Sequence, residues 1–313
     1  MSLADAQHFV RSPEWTWYIL FYFFLAGLSG GSYFIATLFR LFGDPADEPA
    51  ARLGYYVALP PMVIAPVLLT LDLTQPWRFW HMLWNTTPDA AGLNFKYWSP
   101  MSVGAWALVV FGAIATVSFV EVLVRDRKIR LKIADRAVRL LDGVAGKVFN
   151  TIGALMGLFV AGYTGVLLSV SNQPVWSDTW ALGGLFLASA LTASTALLIL
   201  LTRYRTAAQA SVGKLELSER MYALLELALI VVFVLTLIPA GTLGLVFEFP
   251  WILLWVVVFL GIALSLSPIV TTRLAVTADG AVTVPAARVA VGAPSIVLLG
   301  SLALRAAVIF SIQ

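Results

Sequence analysis

Eight runs of apolar residues, each about the length of a membrane-crossing helix, constrain this chain more than any other feature. A hydrocarbon core of about 30 Å needs about 20 such residues in a helix. The runs fall at 16–40, 52–73, 99–124, 147–171, 179–202, 219–240, 249–270 and 289–311. Composition agrees with them. Charged residues make up 12% of the sequence and hydrophobic residues 60%, against about 25% charged in a soluble domain. Too little polar surface remains to face water on all sides. The expected fold class is therefore all-α, a polytopic membrane protein with eight transmembrane helices. The segment before the first run carries only Arg11 as a basic residue, beside Asp5 and Glu14, so the first run reads as a true span and not as a cleaved signal.

Basic residues set the orientation. The third-to-fourth connection holds Arg125, Arg127, Lys128, Arg130, Lys132, Arg136, Arg139 and Lys147. The fifth-to-sixth holds Arg203, Arg205, Lys214 and Arg220; Arg40, Arg52, Arg273 and Arg288 fall on the same side. Only Arg11, Arg78 and Lys96 fall on the other, with Arg305 inside the last span. The basic side is expected in the cytoplasm, with both termini and the loop 74–98 outside, across the cytoplasmic (inner) membrane.

Packing signals are local. Gly27 and Gly31, and Gly153, Gly157, Ala161 and Gly165, form small-residue stripes that let helices approach closely in lipid. Pro60, Pro61 and Pro66 interrupt the second run and free carbonyls four residues back. The stretch 128–145 reads as an amphipathic surface helix, and residues 275–284 as a small hairpin around Asp279-Gly280.

Several chemistries are excluded. There are no cysteines and two histidines, His8 and His81. The protein itself therefore carries no iron–sulfur cluster or thiolate metal site, and the places of His8 and His81 do not suit a buried bis-histidine haem. Redox centres, if used, belong to a partner.

The loop 74–98 holds the densest set of functional residue types. Pro76 opens a helix, which places Trp77, Trp80, His81 and Trp84 on one face. This reads either as an interfacial aromatic belt or as a lid over a flat apolar ring, with Asp72, Arg78, His81, Asn94 and Lys96 nearby. Asp72 ends the second span, as a wetted helix-end acid or as a proton acceptor. Tyr163 lies near the middle of the fourth, as a packed aromatic or a hydroxyl donor. Glu226 is an intramembrane carboxylate, a functional hypothesis by default; it reads either as a neutral, hydrogen-bonded structural acid or, with Glu121, as a carrier of protons. Arg305 reads as snorkelling or paired with Glu248.

Four segments, in order, resemble the NrfD/PsrC-type (polysulfide reductase) membrane subunits. They are the first span from Trp17 to Gly31, Asp72-Leu-Thr-Gln-Pro76-Trp-Arg-Phe-Trp80, Ser99-Pro-Met-Ser102-x-Gly-Ala-Trp106, and Tyr163-Thr-Gly-Val-Leu-Leu-Ser169. Thr74-Gln75 departs from the family's glycine, and the first span offers Trp15, Tyr18 and Tyr22 where some relatives place His or Asn.

The resemblance implies a single domain, 1–313, of two four-helix bundles, about 16–171 and about 179–311. It implies a quinone site (menaquinone or ubiquinone) near the outer face, with Asp72 exchanging protons and Tyr163 donating a hydroxyl. His81, Asn94, Arg78, Tyr18 and Trp80 would surround the ring. It further implies a ferredoxin-like iron–sulfur subunit and a large catalytic subunit, often a molybdenum enzyme, as partners. Glu226 and Glu121 would make turnover electrogenic. A secondary transporter and a purely structural anchor stand as alternatives.

Overall fold

The computed structural model describes residues 13–89, 91–128, 138, 141–202, 204–267, 275–276, 282–283 and 287–313, with 275–276, 282–283 and 287–290 described by backbone alone. Its helices are α1 (Trp17–Phe42), α2 (Glu48–Leu71), α3 (Pro100–Arg125), α4 (Val144–Ser169), α5 (Leu182–Thr202), α6 (Val212–Ala240), the short α7 (Leu243–Phe247), α8 (Ile252–Leu266) and α9 (Ala287–Phe310). Among the described residues, seven helical segments are long and apolar enough to cross a membrane. The remaining apolar run is represented by α8, whose 15 residues rise about 22 Å. The stretch 128–145 expected as an amphipathic helix lies mostly outside the described residues, as do His8, Arg11, Asp279 and Gly280.

Helix ends follow local chemistry. Thr16 caps α1 by accepting from the Tyr18 N–H, and Ser99 caps α3 by accepting from Ser102. Pro100 occupies the first turn of α3, where its missing N–H costs nothing. The prolines of α2 leave it one continuous helix. Ser29 supports it there, donating to the Ala58 carbonyl at 2.5 Å. The hairpin expected around residues 275–284 forms, with β3 (Ala275–Val276) antiparallel to β4 (Val282–Thr283).

α1 is the centre of the packing. It lies against α2 and α4 on one side and against α5 and α9 on the other. Its glycines permit this. A Cβ on Gly30 would stand 2.1 Å from the Gly157 carbonyl oxygen of α4, and one on Gly31 would stand 2.4 Å from Ser194 Oγ of α5. α2, α3 and α4 complete the packing on one side; on the other, α6 and α9 pack against α5, and α8 packs against α9 and α6.

Ion pairs gather the basic connections at one end of the molecule. Arg40 bridges Glu48 and Glu121 at 3.2 and 2.8 Å. Arg52 and Arg205 both grip Asp126, at 2.8 and 2.6 Å. Lys214 reaches Asp44 and Asp47, each at 2.6 Å.

Candidate functional site

At the opposite end, a cavity of about 210 Å³ opens between the first four helices. Trp15, Ile19, Tyr22 and Phe23 line it from α1 and the residues before it; Leu69, Asp72 and Leu73 from the end of α2. Met101, Gly104, Ala105 and Leu108 form the α3 wall, and Tyr163 and Leu167 the α4 wall. From the 74–98 loop, Met82 reaches it. The lining is largely apolar and aromatic. Its volume lies below the range of about 300–1,000 Å³ of sites that enclose a drug-sized ligand, so it accommodates a single ring, not a long tail.

Two side chains give this cavity its polar chemistry. Asp72 is the C-cap of α2, and its Oδ1 accepts from the Thr16 hydroxyl at 2.9 Å. Tyr163 is 8% exposed, and its hydroxyl donates to the Pro100 carbonyl. That bond occupies the hydroxyl proton and leaves the oxygen lone pairs as its remaining capacity. Gly104 makes the position possible, since a Cβ there would lie 2.4 Å from the Tyr163 hydroxyl. Because α4 ends at Ser169, Tyr163 lies within two turns of the helix end and not near the middle of the span.

The other expected ring contacts do not line this cavity. The helix opened by Pro76 is a 3₁₀ helix, Pro76–Met82, followed by the strand β1 (Trp84–Asn85), which pairs with β2 (Gly92–Leu93). Three residues per turn keep Trp77 and Trp80 in one row but take His81 out of it, and the strand removes Trp84. Trp77 is 89% exposed, and Arg78, Trp80 and Trp84 also face outward. Asn94 is used within the loop. Its amide donates to the His81 carbonyl at 2.9 Å, and its own backbone carbonyl accepts from Trp106 Nε1 at 3.1 Å. Tyr18 packs on Trp17, with ring centroids 4.0 Å apart.

Tyr22 and Trp15 join the site instead. Trp15 stacks on the fully buried Trp176 at 4.9 Å, which anchors the cavity wall to the far side of the molecule. The α3 wall was not expected; the signal that could have found it is that positions 101, 104, 105 and 108 share one helical face.

The acids expected to carry protons lie elsewhere. Glu121, at the basic end, is clamped by Arg40 and by Arg125 at 2.6 Å, so it joins helices. Glu226 is 3% exposed and lies about four turns into α6, deeper than the apolar run alone suggested, because the helix starts at Val212. It lies against the Ser189 and Thr192 hydroxyls and within the field of Arg305.

Arg305 neither snorkels nor reaches Glu248. It is 0% exposed. Its Nη1 donates to Ser301 Oγ at 2.7 Å and to Ser189 Oγ at 3.3 Å, and Nη2 to the Phe186 carbonyl at 3.0 Å. The guanidinium lies 5.1 Å from the Phe186 ring. Phe186 meets Phe23 edge-on at 6.3 Å, and Phe23 lines the cavity. One aromatic layer thus separates the buried charges from the cavity. Among the described residues, no cluster of His, Asp and Glu is arranged to hold a metal ion.

Comparison with known proteins identifies the family. The family described as polysulphide reductase, NrfD, matches residues 6–311. Protein NrfD of Escherichia coli is 26% identical over 66% of this chain and 65% of its own length. One of the polysulfide reductase chains of Wolinella succinogenes is 27% identical over 57% of the present sequence and 55% of its own. One of the selenate reductase subunits of Mesobacillus selenatarsenatis is 30% identical over 25% of the present sequence and 18% of its own. The aligned part spans less than two thirds of each of these relatives. With the family matched over nearly its whole length, the protein belongs to the NrfD polysulphide reductase family.

Proposed function

We propose that this protein is the quinone-reactive membrane subunit of an oxidoreductase complex, exchanging electrons between the membrane quinone pool and a ferredoxin-like iron–sulfur subunit joined to a large catalytic subunit, of the molybdenum type. Two of the matched relatives are named as one part of a reductase, which supports membership of a complex. The carrying observation is that Asp72 and Tyr163, distant in sequence, line one aromatic cavity opposite the basic end.

The residues fit a quinone head group. Tyr22, Phe23 and Trp15 offer flat apolar surface, and the acid and hydroxyl offer the polar contacts. A bound quinol supplies two electrons and two protons on oxidation. Asp72, held by Thr16, accepts the two protons one after the other at its carboxylate, passing the first on before it takes the second, while the electrons leave to the iron–sulfur partner. Tyr163, its own proton on the Pro100 carbonyl, accepts a hydrogen bond from a ring hydroxyl. The apolar wall excludes water from the ring. By the positive-inside rule the basic end lies in the cytoplasm, so the cavity and both termini face outward. Glu226, beyond the Phe23–Phe186 layer, carries protons inward.

The test is gentle-detergent purification of the tagged complex, with iron, molybdenum and quinone assayed in the eluate and quinol oxidation followed. We expect an iron–sulfur partner and quinone to co-purify, and Asp72→Asn to lower quinol oxidation about 100-fold, the scale of a lost general base. A protein that elutes alone, or an Asp72→Asn complex with full turnover, would overturn the reading. Glu226→Gln should abolish charge movement while leaving quinol oxidation measurable.

A further inference from the structure

A second cavity, of about 380 Å³, opens at the basic end, between α1, α2, α3 and the start of α4. Its size falls in the range of about 300–1,000 Å³ of small-molecule sites. Arg40, Arg52, Arg125 and Lys147 bring four cations to it; Glu48, Glu121 and Asp142 bring three carboxylates. Each carboxylate is engaged by guanidinium: Glu48 by Arg40 and Arg52, Glu121 by Arg40 and Arg125, Asp142 by Arg125. Lys147 has no carboxylate partner among the described residues, so it is the surplus charge at the cavity.

Two further features face the same space. α4 begins here, capped by Gly143 without a side-chain bond and with no acid in its first turn. Gly143 and Gly146 form part of the cavity wall, so the positive end of a 26-residue helix borders it. Asn150, one turn beyond Gly146, also lines the cavity and is 6% exposed. Its backbone carbonyl accepts from Thr37, while its side-chain amide has no hydrogen-bond partner among the described residues. A spare ammonium, a buried free amide and an uncapped helix start converge on one volume. Together they suit a compact anion with several acceptor oxygens.

We propose that this cavity binds a phosphoryl group, supplied by the head group of an anionic phospholipid. Lys147 pairs with the phosphoryl charge, and Asn150 and the first turn of α4 donate to its oxygens. The source follows from the outer face of α4. Val144, Val148, Ile152 and Leu155 are spaced along one helical face and are 77%, 53%, 50% and 62% exposed. This apolar strip begins in the same turn of α4 as the cavity wall and lies on the outer side of the helix, where an acyl tail would run. A free phosphate ion makes no use of it.

The experiment is native mass spectrometry of the detergent-purified protein with phosphatidylglycerol or phosphatidylcholine added at equal concentration. Lys147→Ala and Asn150→Leu are compared with the wild type, and thermal melting serves as the folding control. We expect phosphatidylglycerol to be retained over phosphatidylcholine. Lys147→Ala should weaken it about tenfold or more, the scale of one charge-assisted hydrogen bond, and Asn150→Leu by a smaller factor, both with unchanged melting. Retention of phosphatidylglycerol in millimolar orthophosphate supports the lipid as the source; displacement overturns the lipid as source and assigns the site to the phosphoryl group alone. Equal retention of both lipids by the wild type, or undiminished phosphatidylglycerol binding in both variants, would overturn the proposal.

Discussion

The Thr16 hydroxyl donates to Asp72 Oδ1 at 2.9 Å while accepting from the Tyr18 N–H at 3.3 Å. The residue that starts α1 therefore also holds the acid that ends α2. Thr16→Val removes both bonds; Thr16→Ser keeps both. Loss of the cap alone costs about 1 kcal/mol and should show as a small drop in melting temperature. Loss of a hydrogen bond to a charged group is worth about 1.5–3 kcal/mol. In the intact complex, quinol oxidation should fall about tenfold in Thr16→Val and recover in Thr16→Ser. Wild-type turnover in Thr16→Val would show that Asp72 needs no such positioning.

Gly104 and Tyr163 share space that no larger residue on α3 allows. A Cβ at position 104 would lie 2.4–2.5 Å from three atoms of the Tyr163 ring and hydroxyl. Gly104→Ala should displace the ring from the cavity and from the Pro100 carbonyl, with an overpacking cost of about 1–3 kcal/mol. Measured by quinone titration of the purified complex, binding should weaken while co-purification of the partner persists. Unaltered quinone affinity would mean that the Tyr163 hydroxyl is not a ring contact.

Arg305 and Glu226 are both buried and meet at Ser189, whose hydroxyl accepts from Arg305 Nη1 and lies against Glu226, with no direct ion pair between the two among the described residues. Arg305→Met and Glu226→Gln each remove one member of this network. Members of one hydrogen-bond network show interaction energies of about 0.5–3 kcal/mol. Denaturant unfolding in detergent should therefore find that the Arg305→Met/Glu226→Gln double variant does not lose the simple sum of the two single changes. Strict additivity of the two single changes would show that the charges do not interact.

Asp126, just beyond α3, is partly buried, which opposes ionisation. The hydrogen bonds from Arg52 and Arg205 outweigh that burial and hold its carboxyl below the usual carboxylate range. A depressed carboxyl contributes stability that is present above its unfolded value, near 3.8, and lost as pH falls through the lower folded value. The protein should therefore show no dependence on this group above about pH 5. Asp126→Asn should lower stability at neutral pH by an amount between about 1 kcal/mol for an exposed pair and about 3 kcal/mol for a buried one. Melting curves from pH 3 to pH 7 check both: the variant should lose less on acidification than the wild type.

The number and approximate bounds of the apolar runs, the segregation of basic residues to one side, and the family can all be read from the residues in order. These are local properties. Helix length is set by the thickness of hydrocarbon to be crossed, and each run is read without knowing its neighbours. Asp72 and Tyr163 stand out along the chain because each lies within a family-like segment, but that they line one cavity does not follow from those segments.

The rest depends on how each helix is rotated and how closely it packs. Arg305 reads as a snorkelling cation, since nothing local shows that α1, with Gly27 where a Cβ would stand 3.0 Å from Arg305 Nη2, leaves room for a guanidinium in the interior. Trp77 and Trp80 read as part of one helical face with His81, until a 3₁₀ turn and a two-residue strand turn them outward. Both cavities arise where four helices diverge near an end. Their walls come from residues far apart in sequence, brought together by glycine contacts between helices and not by any pattern along one of them.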